Sequence, residues 1–225
     1  MKNSRIQDIL IGRRAVFFDM DGVLYDSMGA HADAWNKAFF HFGIDFPHEL
    51  VYRNEGRTAQ STINLVFMQN EERQATESEI QQIYLKKTEL IENYPEAIPF
   101  NGALVLMEVL KKEGIEIWVV TGSMQDKFLD ALLNDFNGFI SKEKIISGRD
   151  VTHCKPHPEP YLTALEKSGF KASEVVVIEN APLGIQSAKA AGIFTIALNT
   201  GILNNNILRE SGPDLLFQDW NDLIK

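Results

Sequence analysis

Short apolar runs of strand length recur through the last two-thirds of the chain, each separated from the next by a segment with helical spacing. The runs are Ile115–Val120, Ile145-Ile146, Val175–Ile178 and Phe194–Leu198, with Leu215-Leu216-Phe217 as a candidate edge strand. An earlier run, Ala15-Val16-Phe17-Phe18, stands alone near the N-terminus. Strands lacking polar alternation are covered on both faces, and their alternation with helices predicts a parallel sheet between two helical layers. The intervening helices are expected near 102–113, 125–133, 159–168 and 183–191, with Gly114 and Gly192 as stop signals. The fold class is therefore α/β, a Rossmann-like parallel-sheet core.

The stretch between the first and second of these strands has a different texture. His31 to Phe42, Ser61 to Gln69 and Glu77 to Tyr94 have helical spacing, and no convincing strand lies among them. Thr76-Glu77-Ser78-Glu79 reads as a capping box opening the last of these helices. Residues 27–98 are thus expected to form an inserted helical domain, with 1–26 and 99–225 making the core.

Charge and composition narrow the function. Among 225 residues, 22 Lys and Arg face 31 Asp and Glu, a formal charge of −9 that argues against a nucleic-acid partner. The apolar runs are far too short to cross a bilayer, and the first thirteen residues show no signal-peptide pattern. The single cysteine, Cys154, fits a reducing compartment. The expectation is a cytoplasmic, monomeric protein with no membrane contact.

In open parallel sheets ligands bind beyond the C-terminal strand ends. There the sequence delivers Asp19 and Asp21 after the first strand and Thr121-Gly122-Ser123 after the second. Glu179-Asn180 follow the strand beginning at Val175, and Lys155 precedes the helix leading to it. Each signal has a plain reading: Asp-x-Asp-Gly as a turn, Thr121-Gly122-Ser123 as a helix cap, Lys155 as a surface lysine. Their convergence on one sheet edge favours chemistry. Carboxylates gathered in one crevice repel one another unless a cation is present, and an oxygen-liking ion such as Mg²⁺ resolves the conflict. Carboxylates, a metal, a hydroxyl and an ammonium together suit phosphoryl transfer, with a carboxylate as covalent nucleophile.

Four segments then resemble, in order, the motifs of the haloacid-dehalogenase-like superfamily: Phe17-Phe18-Asp19-Met20-Asp21-Gly22-Val23, Val119-Val120-Thr121-Gly122-Ser123, Lys155-Pro156, and Ile178-Glu179-Asn180-Ala181-Pro182-Leu183-Gly184-Ile185. The helical insert resembles the small cap of the β-phosphoglucomutase-like branch. The resemblance implies Asp19 as the nucleophile and Asp21 as the general acid/base. Thr121, Gly122 and Lys155 would hold the phosphoryl group of a small phosphorylated substrate. It also implies Mg²⁺ bound by Asp19, the backbone carbonyl of Asp21, and Asn180, with Glu179 acting on a metal-bound water. Dehalogenases of the superfamily lack an acid at the Asp21 position, whereas an alkoxide leaving group needs a proton. Asp21 therefore favours a phosphatase or a mutase.

Some positions depart from the family pattern. Asn180-Ala181 stand where Asp-Ser is common, which lowers the negative charge around a metal. Where β-phosphoglucomutases carry an arginine that grips the sugar's second phosphate, this chain aligns Ala59, and Ser123-Met124-Gln125 lacks a further lysine. His31 matches a histidine that helps order cap closure, with a plain histidine on a helix face as the alternative, and Lys87 or Lys86 matches a cap lysine. Tyr52-Arg53-Asn54-Glu55-Gly56-Arg57-Thr58 resembles the specificity loop of the cap. Its Glu-Gly-Arg-Thr portion is similar to that of a small-substrate member of the branch, an inorganic pyrophosphatase. In that reading Glu55 reaches the metal site, with Arg57 and Thr58 beside it. The alternative is a surface pairing of Glu55 with Arg53 or Arg57.

Overall fold

The computed structural model describes residues 6–225. Six strands, β1 (Ala15–Phe18), β2 (Glu116–Val120), β3 (Ile145–Ile146), β4 (Val175–Glu179), β5 (Phe194–Leu198) and β6 (Leu215–Phe217), form one sheet. Their order is β3-β2-β1-β4-β5-β6, and every pairing is parallel. The α/β class read from the sequence is therefore the one adopted. Strand β1 lies centrally, with Phe18 paired to Val119 on one side and Ile178 on the other. The chain leaves β1 toward β2 on one flank and reaches β4 on the other, so the crevice lies where β1 ends.

Burial on both faces explains the apolar strands. Val16 and Phe18 point into a cluster with Leu106, Leu110 and Leu132. Ala15 and Phe17 point oppositely, into a cluster with Tyr161, Ala188 and Ile193. Leu106 and Leu110 lie on α6 (Asn101–Lys112), Leu132 on α7 (Asp126–Asp135), Tyr161 on α8 (Glu159–Ser168) and Ala188 on α9 (Pro182–Ala190), with Ile193 in the turn after it.

Between β1 and β2 lie α2 (Met28–His41), α3 (His48–Arg53), α4 (Ala59–Glu71) and α5 (Glu77–Glu92). The Thr76–Glu79 capping box is present at the start of α5. The cluster they enclose, around Phe39, Phe46, Ile63 and Ile83, runs on into Ile185, Ala197, Leu203 and Leu208 of the sheet domain. Four short helices were not anticipated: α1 (Ile6–Leu10), α3, α10 (Asn205–Glu210) and α11 (Trp220–Ile224). Each has six residues or fewer, under two turns, which is too short for periodicity to register. Helix α2 also begins three residues ahead of the expected His31, at Met28. Among the described residues no helix is long and apolar enough to cross a membrane.

Phe39 tests the packing of the insert. It is fully buried, stacks on Trp35 at 5.6 Å and meets Phe46 edge-on at 5.0 Å. Phe39→Ala is expected to cost about 3–5 kcal/mol, through lost transfer free energy and the cavity left behind. Urea denaturation of the two proteins measures the difference.

Candidate active site

The turn after β1 is wound tightly, with the Met20 carbonyl accepting from the N–H groups of Leu24 and Tyr25 at 2.8 and 3.1 Å. Gly22 makes this turn with φ +75°, and a Cβ there would lie 2.1 Å from Nδ2 of Asn180. Only glycine lets the loop after β1 come this close to the loop after β4. The result brings Asp19, Asp21, Glu179 and Asn180 to one place.

Lys155 lies at the centre. Its Nζ donates to Asp19 Oδ1 at 2.5 Å, Glu179 Oε1 at 2.6 Å and the Val120 carbonyl at 3.2 Å. Lys155 is 4% exposed, Asp19 6% and Glu179 0%, so water screens little of this attraction. Burial opposes the ammonium charge, yet Asp19 and Glu179 outweigh it and hold Lys155 above its ordinary pKa. One cation faces more carboxylate than it can neutralise. Burial pushes Asp19 up to about 8; Lys155 lowers it, and the Glu179 charge raises it further.

Asn180 turns its Nδ2 toward Glu55, at 3.0 Å from Oε2 and 3.3 Å from Oε1. Its Oδ1 is buried with no hydrogen-bond partner. A buried acceptor left unpaired beside anionic oxygens is what a hard cation would satisfy. The unpaired Asn180 Oδ1 and the nearby Asp19 carboxylate thus fit an oxygen-ligand metal site.

Glu55 belongs to the insert, on the loop between α3 and α4. It does not pair with its neighbouring arginines: Arg53 binds Glu49 at 2.8 Å, and Arg57 donates to Asn54 and Ser61 at 3.0 and 3.2 Å. Burial lifts the Glu55 carboxyl well above its ordinary range, and the charges of Asp19, Glu179 and Asp21 add to the effect. The adjoining Gly56, at φ +94°, sits so near Lys155 that a Cβ would fall 3.1 Å from that side chain. The insert is therefore closed onto the strand ends. Thr58 caps α4, its Oγ1 accepting from the Ser61 N–H at 3.1 Å.

On the other wall, Asp21 Oδ1 accepts from Ser27 Oγ at 2.6 Å and faces His31 Nε2 at 3.5 Å. Lys87 Nζ lies 3.1 Å from the far nitrogen of that ring. Burial takes His31 down to about 4, with Asp21 opposing and Lys87 reinforcing the fall. Lys87 falls to about 8, also through burial, with Asp21 working against the shift. A neutral His31 accepting from Lys87 directs its Nε2–H toward Asp21.

A cavity of about 170 Å³ lies between insert and sheet, lined by Asp19, Asp21, Glu55, Lys155 and Glu179. His31, Arg57, Thr58, Lys87, Thr121 and Gly122 also border it, so these groups open onto one space. Thr121 is buried, its Oγ1 accepting from the Ser123 N–H at 3.0 Å. Two residues escaped the sequence reading. Tyr161 donates to Glu179 Oε1 at 2.7 Å, and Ser27 holds Asp21. A tyrosine on the apolar face of α8 reads simply as core, and Ser27 reads as a turn residue.

Carboxylates, an ammonium and an unpaired amide oxygen at the switch point of a parallel sheet define an α/β enzyme site for anionic substrates. The model of the haloacid dehalogenase-like hydrolases matches residues 16–198, and the chain belongs to that family. A solved structure from Bacteroides vulgatus, provisionally described as a β-phosphoglucomutase, superposes with TM-score 0.89 at 48% identity, covering 93% of this chain and 85% of that one. Pyrophosphatase PpaX of Oceanobacillus iheyensis is 26% identical over 94% of this chain and 95% of its own length. Hexitol phosphatase A of Escherichia coli is 30% identical over 83% of each.

Asp19 also sets a pH dependence. A folded-state value near 8 against 3.8 for the free side chain means that, between these limits, the folded chain keeps a proton the unfolded chain has released. Stability of the metal-free protein then declines as pH rises from about 4 toward 8. Asp19→Asn is neutral throughout and is expected to flatten this decline, gaining on the wild type at pH 8 and not at pH 5. Urea midpoints in the presence of a chelator measure both; parallel profiles would contradict the assignment.

Proposed function

We propose that this enzyme is a Mg²⁺-dependent phosphohydrolase of small phosphorylated compounds, with inorganic pyrophosphate as the preferred substrate. Asp19 attacks phosphorus, forming a carboxylate–phosphorus bond as the bond to the leaving oxygen breaks. Asp21 gives that oxygen its proton, and afterwards takes one from the water that cleaves the aspartyl phosphate. Lys155 and Thr121 hold the phosphoryl oxygens, and Ser27 and His31 keep Asp21 oriented. Mg²⁺ held by Asp19, the Asp21 carbonyl and Asn180, with Glu179 adjacent, would neutralise the charge that keeps an anionic substrate from these carboxylates.

The observation that carries the substrate choice is the hydrogen bond of Glu55 to Asn180. A carboxylate brought by the insert into this crevice repels a phosphate and is attracted to a divalent ion, which is the largest local charge once bound. The insert is then held by the metal rather than by the substrate, which suits a substrate too small to hold it. A second reading, β-phosphoglucomutase, draws support from the 48% identical structure. Against it, Ala59, Met124 and Gln125 line the cavity where a bisphosphate needs cations. Of the cations there, Lys87 is engaged by His31, and Arg57 by Asn54 and Ser61.

A phosphate-release panel of pyrophosphate, hexose phosphates and phosphoglycolate, with a separate assay for glucose 1-phosphate isomerisation, distinguishes the two. Pyrophosphate is expected to show the highest kcat/KM; isomerisation of glucose 1-phosphate without phosphate release from pyrophosphate would install the mutase. Asp19→Asn is expected to abolish turnover while retaining the fold, and activity within tenfold of wild type would remove the covalent route. Glu55→Gln should lower kcat/KM for pyrophosphate roughly a hundredfold, about 3 kcal/mol of transition-state stabilisation. Sugar phosphates, able to contact the insert directly, should lose much less.

A further inference from the structure

Lys155 is carried on the turn between β3 and α8, and the outward side of that turn bears a second cluster. His153, His157 and Glu159 each offer one ligand atom within 4.8 Å of the other two. His153 Nδ1 lies 2.7 Å from Glu159 Oε2, His157 Nδ1 lies 3.8 Å from the same oxygen, and the two rings are 4.6 Å apart. The imidazoles are 63% and 51% exposed, open to an ion arriving from solvent, while Lys155 between them points inward.

We propose that His153, His157 and Glu159 form a binding site for a divalent transition metal of the Zn²⁺ class, separate from the oxygen-ligand site at Asp19 and Asn180. Two imidazoles and one carboxylate are a ligand set Zn²⁺ takes with a fourth position left to water. Tetrahedral coordination at about 2.0–2.1 Å places ligand atoms about 3.3 Å from one another. The 2.7 Å and 3.8 Å separations from Glu159 Oε2 straddle that value, so shifts of about half an ångström bring the carboxylate and imidazoles to bonding distance. In doing so His157 Nδ1 gives up the Glu159 backbone N–H it now accepts at 3.2 Å. Mg²⁺ prefers oxygen ligands and keeps its waters, so nitrogen donors discriminate between the two ions.

The carboxylate is already positioned. Glu159 accepts the backbone N–H groups of Thr152 at 2.7 Å and His153 at 2.9 Å. The His157 N–H donates to the Cys154 carbonyl at 3.0 Å, and the His157 carbonyl accepts from Ser187 Oγ on α9 at 2.6 Å. Ligands projecting from a turn fixed this way need little ordering to bind. An ion spanning positions 153, 157 and 159 braces both ends of the turn that presents Lys155. The plain alternative is an exposed His153–Glu159 ion pair with His157 beside it.

The test uses the full chain in excess Mg²⁺, which occupies the oxygen-ligand site. In equilibrium dialysis the wild type is expected to retain one equivalent of Zn²⁺ that the His153→Gln/His157→Gln double variant binds at least tenfold more weakly. Co²⁺ in place of Zn²⁺ should give visible absorption bands in the wild type that the double variant lacks. Zn²⁺ should raise the Tm of the wild type and not of the variant. Without Zn²⁺ the two should melt within about 2 °C of one another, showing that the variant is folded. Equal Zn²⁺ retention and equal Co²⁺ spectra would overturn the site. Binding lost in Cys154→Ser but kept in the double variant would overturn the ligand set in favour of the thiol.

Discussion

A single buried ammonium shared between two carboxylates organises this molecule. Lys155 reaches from the turn before α8 to Asp19 at the end of β1 and Glu179 at the end of β4, tying three separate stretches of chain together. Removing the ammonium would leave two carboxylates uncompensated in a medium that solvates them poorly. The same group leaves the crevice with an excess of negative charge, since Asp21 and Glu55 open onto the cavity as well. That surplus makes the site receptive to a divalent ion and unwelcoming to a bare phosphate. Stability and chemistry thus rest on one balance of charges.

The insert answers that balance from the opposite side. It contributes Glu55 to Asn180 and the Gly56 backbone against the Lys155 side chain, and within itself it sets Lys87 against His31. None of these contacts is local in sequence; Glu55 and Asn180 are separated by 125 positions. They bring carboxylate and amine alike into a water-poor space. There burial, reinforced by Lys87, takes His31 down to about 4, and Asp21 faces an N–H instead of a second charge.

The sheet was legible because its strands are apolar on both faces, which few other environments demand. From where those strands end, the residues of the crevice followed. Legibility failed where an interaction has no local signature. Tyr161 donates to Glu179 from a helix whose other inward residues are ordinary core, so its hydroxyl carried no mark. The destination of Glu55 could not be decided from spacing, since Arg53 and Arg57 stood ready as partners in the chain. In the fold those arginines are occupied by Glu49, Asn54 and Ser61. His153 and His157 were passed over because Lys155 between them absorbed the meaning of the segment, and only the turn shows them converging on Glu159. The short helices escaped for a simpler reason, having too few residues to display a period.

The apolar seam between insert and sheet domain has a thermal consequence. Ile185, Ala197, Leu203 and Leu208 share one cluster with the insert, and Tyr52 lies so close over Gly201 that a Cβ there would come within 2.7 Å of its ring. Any movement that parts these surfaces wets hydrocarbon, and wetted hydrocarbon raises the heat capacity. The free energy of opening is then curved in temperature, and the hydrophobic hold on the seam weakens on cooling. Were the insert to part from the sheet domain, the apolar share of what holds it would be weaker in the cold than in moderate warmth.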